Sequence, residues 1–267
     1  MKTELYPILP ELQPYIKVIC SMESDASTDT SSFRVLPDTC VELFINFSNN
    51  QDSFTTVTGH RVFDPSQSFV ISRMSDFMDI QLTNTTRFIS ICFYPSTAYL
   101  FFQLPMSEVV NSLTNLHDLW KTEAKEMEED IQKVHTNEQK VFAAQQYLIA
   151  KLKRNKTDKT INYCLQTIKT ANSAFSVAEL ANKVGVSQRQ LSRKFNQCLG
   201  LSTKEFMDVN RFIDSLAHLK KHPAMSLTDI AYASGYYDQA HFIHDYKTFT
   251  GLTPSALLNA RNIILCE

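Results

Sequence analysis

Residues 176–202 read SVAELANKVGVSQRQLSRKFNQCLGLS, and residues 226–253 read SLTDIAYASGYYDQAHFIHDYKTFTGLT. The two stretches are copies of one pattern, with a single extra residue in the second. Four of the five glycines of the chain fall within the copies, at spacings of 50 and 51 residues: Gly185 with Gly235, and Gly200 with Gly251. The repeat therefore explains where nearly all of the glycine is placed.

Each copy predicts a short helix, a tight turn and a longer helix. In the first copy Ser176 caps the short helix, with a glutamate three residues on, and Ser187 caps the longer one. Gly185 lies between the two helices, because a tight turn there needs a residue that tolerates positive φ. The second copy places Ser226, Gly235 and Asp238 at the same three points. We therefore predict two helix-turn-helix units, about 176–200 and 226–251.

The longer helices, predicted over 188–199 and 239–250, each have an apolar side that would face inward. The opposite side of each is free to enter a major groove, as the second helix of a helix-turn-helix does. Between the copies, residues 203–221 form a third helix with a broad apolar stripe. Such a bar would hold the two reading helices at a fixed separation, which suits groove segments one DNA turn, about 34 Å, apart.

Residues from about 160 to 261 resemble the DNA-binding domain of the AraC/XylS family of bacterial transcription regulators. The most specific stretch reads Ala231-x3-Gly235-Tyr236-Tyr237-Asp238-Gln239-x2-Phe242-x3-Tyr246-Lys247-x3-Gly251-Leu252-Thr253-Pro254. The resemblance implies an all-α domain of seven helices that binds double-stranded DNA at asymmetric sites, usually to activate transcription with RNA polymerase as partner. It also implies a bacterial protein, and the scattered cysteines together with the lack of a signal peptide predict a cytoplasmic one.

Helix position and the resemblance together predict the residues that contact DNA. The predicted base contacts are Arg189, Ser192, Arg193, Gln239, Ala240 and His244, and the predicted phosphate contacts are Gln188, Lys194, Asn196 and Lys247. An arginine can offer a bidentate fork to guanine, whereas alanine offers only apolar contact. The family often carries arginine where this chain has His244. We therefore expect the first recognition helix to dominate sequence reading, and we expect Tyr236 and Tyr237 to pack in the core.

The amino-terminal half predicts a different architecture. Six short strands are indicated between residues 30 and 94, in the segments FRVLP, CVELFINFS, SFTTVTG, SFVISRM, FMDIQLT and RFISICFY. They predict an antiparallel barrel or sandwich, followed from Pro95 by helices that include MSEVVNSL and a single helix over 116–134. The fold class is thus α+β. Residues 34–43, RVLPDTCVEL, also resemble a strand-turn-strand feature of an uncharacterised amino-terminal domain type of the same family.

Charge supports a division into two parts. Residues 1–150 carry 10 Lys+Arg and 19 Asp+Glu, net −9, and residues 151–267 carry 16 and 9, net +7. We predict a ligand-sensing and dimerisation domain over 1–150, a linker over 151–159 and the DNA-binding domain over 160–267. The helices over 116–134 and from Asn137 onward are candidates for a homodimer interface. Charged strand residues such as Arg34, Glu42 and Asp79 are assigned to the solvated face.

Other classes of protein lack support in the sequence. No stretch is long and apolar enough for a membrane span, and the six scattered cysteines predict reduced core thiols. No metal site, cofactor or catalytic motif is indicated, so we expect no enzyme. The prediction is a sequence-specific transcription regulator, most simply an activator that responds to an unknown small-molecule effector. The alternatives are a regulator whose amino-terminal half only dimerises, and an enzyme fused to a DNA-binding domain.

Overall fold

The computed structural model describes residues 2–23, 31–47, 54–56, 68–72, 75–82, 87–152, 157–170, 175–260 and 263–264. Within these ranges the amino-terminal half forms two β-sheets with helices packed against them, and the carboxyl-terminal half is helical. The predicted α+β class is confirmed. None of the helices in these ranges combines the length and the apolarity that crossing a bilayer requires.

The first sheet has six strands in the order β1-β2-β8-β4-β6-β9, and the second has four in the order β10-β3-β7-β5. The bounds are β1 Lys2–Leu5, β2 Ile16–Glu23, β3 Ser31–Val35, β4 Val41–Asn46, β5 Phe54–Thr56, β6 Phe69–Ser72, β7 Met78–Leu82, β8 Arg87–Phe93, β9 Ser112–Asn115 and β10 Ile263–Ile264. All neighbouring strands run antiparallel except β10 and β3, which are parallel. The six predicted strands are therefore present, as β3 to β8.

Aromatic and aliphatic side chains fill the space between the two sheets. Phe69, Ile71 and Phe88 of the first sheet pack with Met78 of the second, with Phe44 alongside. The rings of Phe44 and Phe69 stack with centroids 5.1 Å apart. These phenylalanines belong to the core, where their apolar area is removed from water.

Four helices follow the strands in the amino-terminal half: α1 Tyr99–Phe102, α2 Leu116–Trp120, α3 Thr122–Lys133 and α4 Asn137–Leu152. The helix predicted over 116–134 is broken at Lys121, whose φ of 54° is outside the helical range. The break lets the Trp120 indole turn inward and donate to the Phe101 carbonyl oxygen at 3.1 Å. The helical prediction for MSEVVNSL is wrong: a single 3-10 turn at Met106–Glu108 leads instead into β9, which pairs with β6.

The carboxyl-terminal half contains α5 Lys159–Thr170, α6 Val177–Lys183, α7 Gln188–Leu199, α8 Thr203–Lys221, α9 Leu227–Ala233, α10 Gln239–Thr250 and α11 Pro254–Asn259. These are the seven helices that the resemblance implied. One core runs through both halves, from Ile19 and Phe93 in the sheet to Phe195 and Phe212 in the helices. The short strand β10 then returns to the amino-terminal half and pairs with Arg34 and Val35.

Candidate nucleic-acid interface

The first helix-turn-helix unit is built as its sequence predicts. The Ser176 amide donates to Glu179 Oε2 at 2.7 Å and the Glu179 amide donates back to Ser176 Oγ, which completes a capping box for α6. Ser187 and Gln190 repeat the arrangement for α7. Gly185 lies between the helices with a φ of 68°. The reciprocal caps satisfy amides that would otherwise have no partner and fix where each helix begins.

The face of α7 that is predicted to contact DNA is largely exposed, while its opposite face is buried. Leu191 and Phe195 have no accessible surface. Gln188, Arg189 and Arg193 are exposed. The predicted contacts Ser192 and Asn196 are half-buried at the margins of the same face. Arg189 and Arg193 are four residues apart along the helix, so both point to the same side.

Lys194 differs from the other residues assigned to DNA, because its charge already has a partner. Its ammonium lies 2.5 Å from Asp158 Oδ2, just before α5. Asp158 also accepts from the amides of Thr160 and Ile161. Burial works against the ionised form of Asp158, but Lys194 and these amides together hold its pKa below the ordinary value. A phosphate would have to compete with Asp158 for Lys194.

The second unit repeats the architecture with different chemistry. Asp238 caps α10 by accepting from the His241 amide at 2.8 Å. Gln239 Oε1 accepts from Thr228 Oγ1 at 3.0 Å, which joins α10 to α9 and occupies part of the amide group. Ala240 and Lys247 are exposed, and the His244 side chain is 79% exposed. The exposed face of α10 therefore carries one permanent positive charge, at Lys247.

A partly buried charged cluster fixes α10 on α8. Arg211 Nη2 donates to Asp208 and Asp245 at 2.9 and 3.0 Å, and the guanidinium lies over the Tyr236 ring at 4.7 Å. Burial works against the charge of Arg211, but the hydrogen bond to Asp245 and the nearby Asp208 raise its pKa. Burial also raises the pKa of Asp208. The cluster sets the orientation of α10 relative to the helix that joins both units.

Both units also rest on the amino-terminal half. At the end of α7, Gly200 lies against the 3-10 turn: a Cβ placed there would be 2.9 Å from the Met106 carbonyl oxygen. At the end of α10, Arg34 Nη1 donates to the Thr250 carbonyl oxygen at 3.0 Å. The rest of the same guanidinium forms a bidentate pair with Asp79 at 2.7 Å. Arg34 and Asp79 are therefore not simply solvated, as the sequence suggested, but connect the second sheet to the second unit.

Comparison with known proteins fits this geometry. Residues 180–260 match a family model described as a helix-turn-helix domain, of the AraC type, and residues 5–115 match one described as a domain of unknown function (DUF6597). The chain is 31% identical over 86 residues to the HTH-type transcriptional activator RhaS of Citrobacter koseri. Residues 180–260 are thus similar to an AraC-type helix-turn-helix domain.

The chain spans only about a tenth to a third of the length of the curated relatives that it matches. The 86 residues shared with RhaS are 32% of this chain and 31% of RhaS. An uncharacterized HTH-type regulator of Staphylococcus aureus, SAS0078, is 34% identical over 79 residues, which are 30% of this chain and 10% of that protein. Among solved structures, ToxT from Vibrio cholerae O395 is 12% identical with a TM-score of 0.47, over 90% of this chain and 97% of ToxT.

The two tyrosines beside the turn of the second unit differ in burial. Tyr236 is 3% exposed, as predicted, but Tyr237 is 86% exposed and the core prediction for it is wrong. Tyr236 aligns with Val186 of the first unit and points inward, whereas Tyr237 is the extra residue of the second copy. An inserted residue at the turn has no counterpart in the packed side of the repeat, so its side chain projects outward.

Sequence reasoning missed the residues that act between elements. Arg211 gave a signal, because it interrupts the apolar stripe of α8 between Val209 and Phe212. Asp158 and Arg34 gave none, since their partners lie 36 and 216 residues away. Among the residues that the structure describes, no group of three or more His, Cys, Asp and Glu side chains could hold a metal ion. His117, which has no other histidine near it in the sequence, lies with its Nε2 2.7 Å from Glu128 Oε2.

Proposed function

We propose that this chain is a sequence-specific DNA-binding transcription regulator that reads two adjacent major-groove segments with α7 and α10. The observation that carries the proposal is the pair of capped helices joined by α8, each with its outer face open to solvent. The match to a helix-turn-helix domain supports it, because residues 180–260 include nearly all of both units. The resemblance to AraC/XylS regulators also supports an effector-controlled regulator. RhaS is named an activator. We therefore also propose that this chain activates transcription, with RNA polymerase and a second copy of this chain as partners.

The two helices contribute unequally in this proposal. Arg189 and Arg193 each supply a planar fork that matches guanine O6 and N7, worth about 1–3 kcal/mol per good pair. On α10, Gln239 shares its amide with Thr228, and Ala240 offers only a methyl group. The first unit therefore specifies most of the sequence, with smaller contributions from Ser192 and His244. Gln188, Asn196 and Lys247 hold phosphates, while Lys194 does so only when it leaves Asp158.

The test is selection of bound DNA by the full chain from a random duplex library, followed by salt titration of the selected site. Arg193→Ala should lose about tenfold to a hundredfold in affinity for that site and relax the preference at one base pair. Lys247→Ala should weaken all sequences alike and lower the salt slope by about one. Lys125→Ala, the same loss of charge on the exposed face of α3, is the control. Equal effects of Arg193→Ala on selected and scrambled duplexes would refute the assignment.

A further inference from the structure

A cavity of about 700 Å³ lies between the two halves of the chain. One wall comes from three turns of the amino-terminal half, around Tyr15, Asp38 and Ser96. The other comes from α5 and α8. Cavities of a few hundred to a thousand Å³ are the size that proteins use for small molecules.

The helical wall is regular, because each helix presents one stripe to the cavity. Asn162, Leu165 and Lys169 of α5 are spaced i, i+3 and i+7. Asn210, Ile213 and Asp214 supply the equivalent stripe of α8, spaced i, i+3 and i+4. The apolar and amide residues of these stripes are half-buried, whereas Lys169 and Asp214 are exposed at the rim of the cavity.

The opposite wall has strained backbone at the cavity surface. Thr39 and Ser96 have φ angles of 59° and 64°, and they are two of the five non-glycine residues with positive φ in the part of the chain that the structure describes. Such a φ is unusual for a β-branched residue like threonine. Strain of this kind persists where the surroundings hold it and is concentrated at ligand-binding sites. Ser96 Oγ also donates to Asn162 Oδ1 at 3.3 Å, which connects the two walls.

The charges around the cavity are balanced within each wall. The amino-terminal wall carries Lys17 and Asp38, and the helical wall carries Lys169 and Asp214. Asp214 accepts a hydrogen bond from Asn210 Nδ2 at 3.0 Å. Partial burial raises the pKa of Asp214 by desolvation, against the effect of Lys169. A cation placed beside Asp214 would favour its charged form and so offset the effect of desolvation.

We propose that this cavity binds a zwitterionic amphipathic small molecule of the amino-acid or short-peptide class. An ammonium group suits Asp214 or Asp38, a carboxylate suits Lys169 or Lys17, and an apolar body suits Tyr15, Leu165 and Ile213. A purely anionic ligand would meet two carboxylates, and a purely cationic one would meet two ammonium groups. The ligand would touch the amino-terminal half and α8 together. Its role as an effector rests on the proposed function, but its binding does not.

Binding is tested on the full chain by titration calorimetry and thermal unfolding, with L-phenylalanine and the dipeptide leucyl-phenylalanine as probes. Two derivatives of the dipeptide serve as matched ligands: the N-acetylated form lacks the ammonium, and the carboxyl amide lacks the carboxylate. We expect the zwitterions to raise the melting temperature by about 5 °C at concentrations near 100 times the Kd. Each blocked derivative should bind at least about tenfold more weakly than the zwitterionic dipeptide.

Variants locate the site. Asp214→Asn and Lys169→Met should each weaken the dipeptide about tenfold, because both residues line the cavity from exposed helix positions. Asp118→Asn on α2 and Lys159→Met at the start of α5 make the same chemical changes outside the cavity and should leave the Kd unchanged. The assignment is overturned if no zwitterion binds at millimolar concentration, if the blocked dipeptides bind equally well, or if the cavity variants match the controls.

A DNA titration separates this inference from the proposed function. If the chain selects a DNA site but binds no zwitterion, the cavity assignment is wrong and the proposed function is unaffected. If the dipeptide binds and no DNA is selected, the proposed function fails and the ligand site stands. Affinity for the selected site should change when the dipeptide is saturating, and an unchanged affinity would remove the effector role.

Discussion

Two glycines of the first helix-turn-helix unit allow a test of how much the contact between the two halves contributes to the free energy of unfolding. Gly185 and Gly200 both have positive φ, at 68° and 86°. A Cβ at Gly185 would meet nothing within 4 Å. A Cβ at Gly200 would lie 2.9 Å from the Met106 carbonyl oxygen and 3.1 Å from Val110 Cγ2. Alanine at either position therefore strains the backbone similarly, but only at Gly200 does it also strike the amino-terminal half.

The expected magnitudes follow from that difference. Placing alanine in the left-handed region costs about 1–2 kcal/mol, which is the whole expected loss for Gly185→Ala. Gly200→Ala adds an overpacking cost of about 1–3 kcal/mol, because a backbone carbonyl cannot move aside as a flexible side chain can. We therefore predict a loss of roughly 2–5 kcal/mol in the free energy of unfolding for Gly200→Ala.

Urea unfolding of the full chain, followed with two probes, tests this. Trp120 is the one tryptophan and is 3% exposed in the amino-terminal half, so its fluorescence reports on that half. Circular dichroism reports mainly on the helices. Gly200→Ala should move both transitions to lower urea, whereas Gly185→Ala should mainly move the dichroism transition. If Gly200→Ala is no more destabilising than Gly185→Ala, or leaves the Trp120 transition in place, the packing of α7 on the 3-10 turn is refuted.

Two further predictions concern the charged contacts between the halves. Arg34→Ala should lower the free energy of unfolding by about 2 kcal/mol, because it leaves Asp79 and the Thr250 carbonyl without their charged donor. Arg34→Lys should recover only part of that loss in urea titrations, and full recovery would argue against the bidentate geometry. Because the pKa of Asp158 is lowered in the folded chain, its stabilisation is present above about pH 4 and is lost as the pH falls further. Asp158→Asn should therefore reduce the fall in stability between neutral and acid pH; an unchanged profile would contradict the pairing with Lys194.

The carboxyl-terminal units could be predicted in detail because their signals are local. A serine and a glutamate three residues apart describe a capping box by themselves, and both Ser176 with Glu179 and Ser187 with Gln190 form one. The inward positions follow from helical period, as the full burial of Leu191 and Phe195 confirms. Nothing beyond about ten residues of chain is needed for any of these inferences.

The missed elements depend on partners far away in sequence. Strand β2 is paired with β8, but a register shift between Ile16 and Val18 disrupts its period of two. Strand β10 has two residues and pairs with Arg34 and Val35, which no local pattern announces. Strand β9 reads as an amphipathic helix until its pairing with β6 is known. Tertiary pairing overrode local preference in each case.

The long-range contacts and the cavity all lie where the amino-terminal half meets the two helix-turn-helix units and α8. The first unit rests on the 3-10 turn that leads into the first sheet, and the second unit is joined to the second sheet through Arg34. The helix α8 connects the units and also forms one wall of the cavity. A molecule bound there would contact the bar that sets the separation of α7 and α10, while both ends of that arrangement are held by the same amino-terminal half. If α7 and α10 read two groove segments as proposed, a change in that wall alters the fit of both helices to DNA at once. Affinity for DNA should then respond more strongly than it would if one unit bound alone.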